Sequence, residues 1–466
     1  MSIISTIKGW FSMLLKSRTK DEFNITPITS AEVEWLIEYC AMAYRGNPQW
    51  EDPDQHIKTV NFAKSICSET ARLATLAIGI QVDGGSRAVW LQEQVEKLYP
   101  QLRQWVEYAM AYGTVVLKPN GDTVKVYTPG QFEVTSCTGG KIDGMVFHNH
   151  ASDEAAGRYY ERLEYHRFED GVYVITNKCF VGASAGSCNE PIDISLTPWA
   201  NLQEEARILN LEHPLFAVMR TPQANNLEVD GPLSLPVFAD ALEELRDLDV
   251  AYSRNAKEID DSKRTVLLDS DVLIASGGKI SNNATAWQMQ RDALGLPDMV
   301  KNVRGDGKEM FYQEINPTLN TDTRLTGINA LLSQIGYKVG FSNGYFVFNE
   351  STGIQTATGV EAEQQRTIQF IKDVRDKLEA CMDALLYAMS KIADLYMLAP
   401  VGDYEVVYDF GDITYNRDED RSRWWGYVQA GKVPAWMFFV KFEGMTEEDA
   451  RKMTEEAAPK TTSLFE

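Results

Sequence analysis

The residues with the most chemical promise are Gly182-Ala-Ser184-Ala-Gly186, which match the Gly-x-Ser-x-Gly elbow that lifts a nucleophilic serine above a sheet. Lys178-Cys-Phe-Val181 reads as the strand that should precede it. The residues behind the serine do not suit the chemistry. An elbow needs a helix directly after its nucleophile, and Ser187-Cys-Asn-Glu-Pro191 reads as turn and breaker. A triad also needs a downstream acid and a histidine; the only later histidine is His213, and Pro214 comes directly after it. Ser184 is therefore expected in a small-residue hairpin loop, with a serine hydrolase as the enzymatic alternative.

His148-Asn-His150 would put two imidazoles on one face of a strand, with Cys137, Cys179 or Cys188 as further ligands. No paired ligand motif with established metal spacing accompanies them, so exposed strand histidines are expected and no metal. Arg304-Gly-Asp306 and the sequon Asn24-Ile-Thr26 are chance matches, and neither a Walker loop nor a GxGxxG fingerprint is present. No catalytic residue and no cofactor are expected.

Composition narrows the classes further. Acids outnumber bases by 67 to 45 over 466 residues, a net charge of −22, whereas a tight DNA binder displaces phosphate counterions with Lys and Arg. That balance leaves open a protein past which DNA slides. No apolar run approaches the roughly 18 to 20 residues that span a bilayer. The six cysteines, Cys40, Cys67, Cys137, Cys179, Cys188 and Cys381, are scattered and come after no export signal, as reduced thiols of an intracellular protein would be. Near the amino terminus, Ile3, Ile7, Trp10, Phe11 and Leu14 recur at helical spacing, with Lys8, Lys16 and Lys20 between and after them. This basic amphipathic helix is expected to dock on protein; lying on a membrane surface is its alternative.

The elements read as α+β. Thr29 and Glu32 form a capping box for a helix over 33–44, stopped by Gly46-Asn-Pro48; further helices are expected over 57–78 and 89–112, the last ended by Gly113. From about 114 to 220 the pattern is antiparallel sheet. Pro119-Asn-Gly-Asp122 turns one hairpin, and Glu169-Asp-Gly171 joins Tyr159–Phe168 to Val172–Thr176 in another. A helix from Pro236 to Asp261 carries a seven-residue seam, Phe238, Leu245, Tyr252 and Ile259, with Ala241, Leu248 and Asn255 between. Its outer face is acidic, through Asp240, Glu243, Glu244, Asp247, Glu258 and Asp261 among others. This is either a solvated face or a wall that repels phosphate. Residues 263–318 are turn-rich, with a strand at Thr265–Leu268, and a helix comes next over about 324–339. After an aromatic-glycine loop, Thr358 and Glu361 cap a helix free of Gly and Pro from Val360 to Ala399, roughly 60 Å at ~1.5 Å per residue. A strand at Glu405–Phe410 leads to closing helices.

This order of elements is similar to the portal proteins of long-tailed bacteriophages infecting Gram-positive hosts. Segments that carry the resemblance are Tyr112-Gly-Thr-Val-Val-Leu-Lys-Pro119, Arg162-Leu-Glu-Tyr-His166 with Asp170-Gly171, and Pro214-Leu-Phe216 with Arg220-Thr-Pro222 and Ala224-Asn225. Gly340-Phe-Ser342 with Tyr345-Phe346, and Thr356-Ala-Thr358, complete the set. The family usually has Glu-Val after that last motif. Here Gly359-Val360 stands there, with Glu361 next, which weakens any role for the first acid but not for the cap.

The resemblance implies a portal fold and a ring of usually twelve subunits at one vertex of a virion head, assembled in the host cytoplasm. Residues 1–235 would form the wing, 236–262 and 320–340 the stem, and 263–318 the clip. Residues 341–356 would be the tunnel loop, 357–400 a long wing helix and 401–466 a strand and crown. The ring would pass double-stranded DNA without sequence specificity. It would dock the terminase large subunit, then the head-to-tail adaptor, and meet the major capsid and scaffolding proteins. On this reading Phe341, Ser342, Asn343, Tyr345, Phe346, Asn349 and Glu350, with Phe348, meet DNA at the narrowest point, unless the aromatics bury in a core. Another phage head or connector component is the nearest alternative.

Overall fold

A computed structural model describes residues 18–411, apart from 122, 154, 156, 185, 262–264, 270–298, 304–311, 316–319 and 349–356, and residues 417–456, apart from 431 and 444. The amphipathic segment Ile3–Leu14, the Arg304–Gly307 loop, Asn349 and Glu350 lie outside the described residues. The fold is α+β. Residues up to Thr75 together with Ile80–Tyr408 form one compact unit; Leu76–Gly79 with Asp409 onward form a second.

In the first unit, α1 (Ala31–Tyr44) is capped by Ser30, whose extended backbone lets its Oγ accept from Val33 N–H at 3.4 Å. The cap is thus Ser30, not the expected Thr29. α2 is shorter than the expected 57–78: it spans Phe62–Ala74, and the chain then extends into β1 (Gly79–Gly84). Only Ile80 and Val82 are buried along β1, and its partner β14 (Tyr404–Asp409) lies near the other end of the chain, so the local pattern gave no strand. α3 (Ser86–Tyr112) ends at Gly113, whose φ is +77° and where a Cβ would stand 2.1 Å from Ser234 O. Only glycine fits there.

The β-rich block forms two antiparallel sheets. β2 (Thr114–Asn120) pairs with β3 (Thr123–Tyr127) in the expected hairpin, and β10 (Ala217–Arg220) joins on the far side of β2. The larger sheet runs β4 (Phe132–Thr138), β5 (Lys141–Asp153), β6 (Arg158–Glu169), β7 (Val172–Gly182), β8 (Glu190–Ile192), with β9 (Glu205–Ile208) also on β7. On one face Phe132, Val134, Met145 and Phe147 meet Val116, Tyr127 and Phe216. On the other, Val146, Leu163, Tyr165 and Phe180 receive Phe23 and Ile25. None of the six cysteines is joined in a disulfide; Cys137 is half-buried and the others are buried.

α4 (Leu242–Asp261) leads into a small mixed sheet, β11 (Thr265–Asp269) with β12 (Met299–Val303) parallel and β13 (Tyr312–Ile315) antiparallel to it. α5 (Thr321–Val339) comes next, then α6 (Ala357–Tyr396), 40 residues long. α6 begins one residue before Thr358, so Thr358 lies within the helix rather than capping it. Ile371, Val374, Leu378, Met382, Leu385 and Leu386 form its buried stripe.

Two buried guanidiniums fix this long helix. Arg87, 1% exposed on α3, donates to Ser390 O (2.8 Å), Pro400 O (2.9 Å) and Ala399 O (3.2 Å), and pairs with Asp394. It thereby grips the last turns of α6 at Ser390 and the chain just past the helix at Ala399 and Pro400. Arg375, on α6 itself, donates to Ala74 O (3.1 Å) and Leu73 O (3.2 Å), carbonyls of the last turn of α2 that have no intrahelical donor.

The second unit packs α7 (Arg417–Gln429), α8 (Ala435–Glu443) and α9 (Glu447–Glu456) around Phe438, Phe442 and Ala450. Arg451 lies 4.0 Å over the Trp436 ring and Lys441 4.3 Å over Trp424.

Arg87→Met should lower the unfolding free energy by about 3 kcal/mol, because three carbonyls and Asp394 lose their donor while the apolar stem is kept. Urea denaturation of the variant beside the parent protein checks this; a loss under about 0.5 kcal/mol, the range of an ordinary surface change, contradicts the lock.

Candidate functional site

The expected stem helices do pack together. Glu244 Oε1 lies 2.6 Å from Lys338 Nζ and accepts from Gln334 Nε2 at 2.9 Å, while Glu258 pairs with Arg324. The start of α4 thus meets the end of α5, and its end meets α5's start, so the pair is antiparallel. Glu244 and Glu258 are neutralised inside the pair and do not belong to an open acidic face, a correction to the sequence reading. Asp240, Glu243 and Asp247 are exposed, and the side chain of Asp261 lies outside the described residues.

The seam divides along its length. Phe238, Ala241, Leu245 and Leu248 are each no more than 3% exposed, whereas Tyr252 is 51% and Ile259 50% exposed. Asp249, between the halves, is buried and accepts from Trp50 Nε1 (2.8 Å) and Val60 N–H (2.9 Å). It holds the segment between α1 and α2 against α4.

The loop after α5 corrects the expectation more strongly. Gly340 turns at φ +121°, where a Cβ would come 2.8 Å from the Phe370 ring. Phe341 is fully buried, its ring centroid 4.8 Å from those of Tyr345 and Phe346 and 5.5 Å from that of Phe370. Ser342 is buried too: its N–H donates to Thr367 Oγ1 at 2.8 Å and its Oγ accepts from Thr367 N–H at 3.2 Å. Phe346 meets Phe62 edge-on at 5.2 Å. The Tyr345 hydroxyl donates to Glu69, itself gripped by Arg72 through two bonds of 2.8 and 2.7 Å. Those Arg72 bonds hold the Glu69 carboxyl below its usual range, while burial and the Glu69 acceptor push the Tyr345 phenol up. Phe348 exchanges two hydrogen bonds with Asn329 of α5, at 2.9 and 3.1 Å, yet its side chain is 56% exposed. Phe341, Ser342, Tyr345 and Phe346 are therefore anchors of the loop's root. Asn343 and Phe348 are the exposed members among the described residues.

Ser184 is exposed at the end of β7, where its Oγ bonds Ser187 Oγ at 2.9 Å. His213 packs elsewhere, 5.2 Å from the Tyr387 ring of α6, so no triad forms around Ser184 among the described residues. His148 is buried, not exposed as expected: Glu133 and Glu161 flank it at 3.7 and 3.3 Å. No group of three metal-ligating side chains occurs among the described residues.

Sequence reasoning missed a second buried charged group. Glu164 pairs with Lys118, with Arg162 at 2.9 Å and with His166 at 2.9 Å, while His166 Nδ1 lies 2.7 Å from the Tyr173 hydroxyl. Burial would raise the Glu164 carboxyl, but Lys118, His166 and Arg162 together hold it well below the usual range. Burial pulls the Lys118 ammonium down to about 8 against that pairing. All four side chains are buried, so the group ties the two sheets together and offers no surface to a substrate. Its signal was present: Arg162, Glu164 and His166 alternate along β6 and share one face. Polar alternation ordinarily marks the solvent face, and the apolar neighbours that bury it here come from other strands.

No protein-family model matches the chain, and no curated protein matches it in sequence.

Phe341→Ala should cost about 3–5 kcal/mol in unfolding free energy, the range for a fully buried phenylalanine, and Phe348→Ala less than about 0.5 kcal/mol. Guanidinium titrations of the two variants separate anchor from exposed tip; equal losses contradict the division.

Proposed function

We propose that this chain is a portal subunit, forming a ring at one vertex of a phage head and a conduit for double-stranded DNA during packaging and ejection. The observation that carries the reading is the seam of α4. Its inner half is covered within one subunit, while Tyr252 and Ile259 remain half-exposed on an otherwise charged helix. They continue the line of the seam whose inner half is already packed; a neighbouring copy packed head-to-tail would cover them and, by repetition, close a ring. The mixed sheet β12–β11–β13, lying in sequence between the stem helices, supports the assignment of 263–318 to a clip. Terminase large subunit, head-to-tail adaptor, capsid and scaffolding contacts, and a count of twelve, come from the family resemblance.

The electrostatics fit passage rather than grip. Asp240, Glu243 and Asp247 are exposed carboxylates on the stem, Arg246, Arg254 and Lys257 are its exposed cations, and Arg324 and Lys338 are already paired with Glu258 and Glu244. A wall whose exposed charges balance, with no cluster of cations, would gain little from counterion release, so the duplex would meet no sticky register as it moves. The anchored root 340–348 would hold the remaining loop residues at a set height on the axis. The aromatics have no unstacked bases to meet in a duplex, so passage is independent of sequence.

Tyr252→Ser with Ile259→Ser should convert a large closed oligomer into monomer, with the melting midpoint of the monomer unchanged. Sedimentation velocity reads the mass. A parent protein that stays monomeric at every micromolar concentration and salt contradicts the proposal, as does a double variant that assembles like the parent.

At physiological ionic strength the assembled protein should retain no duplex DNA on a filter, while Asp240→Lys, Glu243→Lys and Asp247→Lys together should create binding that falls with added salt. Salt-sensitive retention by the unaltered protein would show a gripping surface instead.

A further inference from the structure

Residues 18–28 run as a strap over one face of the six-stranded sheet. Phe23 packs 5.1 Å from the Tyr165 ring, Ile25 joins the same apolar cluster, and Ile28 N–H donates to Val134 O at 2.9 Å. Lys178 Nζ reaches Glu22 Oε2 at 3.1 Å. At the head of the strap, Arg18 lies 3.9 Å over the Phe180 ring, donates to Cys188 O and pairs with Glu161 Oε2. The other oxygen of Glu161 stands 3.3 Å from His148 Nδ1, and His148 Nε2 stands 3.7 Å from Glu133 Oε1. The result is a buried row of guanidinium, carboxylate, imidazole and carboxylate.

Two cations in this row share one carboxylate. With His148 protonated the four charges cancel; with His148 neutral, Glu133 and Glu161 face Arg18 alone. We propose that Arg18 and His148 form a proton-linked clasp, in which protonation of His148 competes with the strap for Glu161, so acidification loosens the strap and higher pH tightens it. The groups facing the imidazole are Glu133 from β4, Glu161 from β6 and Arg18 from the strap. His150 stands two places along β5, with Lys125 of β3 beyond it, and the Cys188 thiol lies past Glu161. Burial disfavours the imidazolium, but Glu133 and Glu161 outweigh it and raise the His148 pKa above its ordinary value. Opening the strap removes both the Arg18 charge and part of that burial, and so raises it further. The overall fold responds with the opposite sign. A raised folded pKa contributes stability that is complete below about 6.5 and lost as pH rises through the folded value. The inference does not rest on the ring.

Deuterium exchange of the full chain, read by mass spectrometry, tests it at two places. Exchange at the imidazole C2 position gives the His148 midpoint. Arg18→Gln should raise that midpoint by about one unit, tenfold in proton affinity, and Arg18→Lys should restore the parent value. Amide protection over residues 19–28, corrected for intrinsic rates, should rise several-fold between pH 6 and pH 8 in the parent and stay flat in His148→Gln. An unmoved His148 midpoint in Arg18→Gln, or strap protection independent of pH in the parent, overturns the clasp.

Discussion

The end of a long helix is an unfavourable thing to bury, and how this chain does so organises the rest of the molecule. Four carbonyls at the terminus of α6 have no intrahelical donor. Arg87 reaches in from α3 to the carbonyls that bracket them, Ser390 before and Ala399 and Pro400 after, and Arg375 reaches from α6 to the orphaned carbonyls of Leu73 and Ala74 at the end of α2. Geometry then propagates outward through directional bonds. α2 carries Glu69, which holds Tyr345; Tyr345 and Phe341 root the loop; Phe348 is tied to Asn329 on α5; and α5 is paired with α4 at both ends. The exposed stretch of seam therefore sits on a braced support.

Regular structure was largely legible in the residues, because its causes are local. Alternation over 114–220 and the turns at Asn120-Gly121 and Asp170-Gly171 specify the hairpins, and the uninterrupted 360–399 run specifies α6. What local pattern could not show was what each element would lie against. β1 is a strand because β14 pairs with it from a distant part of the chain. The resemblance put the loop aromatics against DNA unless they bury in a core, and Phe341 is in the core, where Gly340 lets Phe370 close over the turn. His148 was expected on an exposed strand, and is buried because Glu133, Glu161 and the strap close over it.

The same distinction applies to charge. A net charge of −22 is a property of composition, but its distribution decides what it does. Three buried carboxylates here are committed: Glu164 to Lys118, Arg162 and His166, Glu161 to Arg18 and His148, Asp249 to Trp50 and Val60. Losing one partner of such a group is costly, because the remaining charge stays out of water. The exposed carboxylates Glu243 and Asp247 of α4 stand in water beside exposed Arg246, Arg254 and Lys257, and these groups together shape the field around the helix pair.

Whether that field and the exposed seam belong to a ring is the central claim, and electron microscopy of the purified protein tests it most directly. The account predicts closed rings with one rotational symmetry axis and an axial opening wide enough for a DNA duplex. Monomers, open filaments or compact oligomers with no central channel would contradict it.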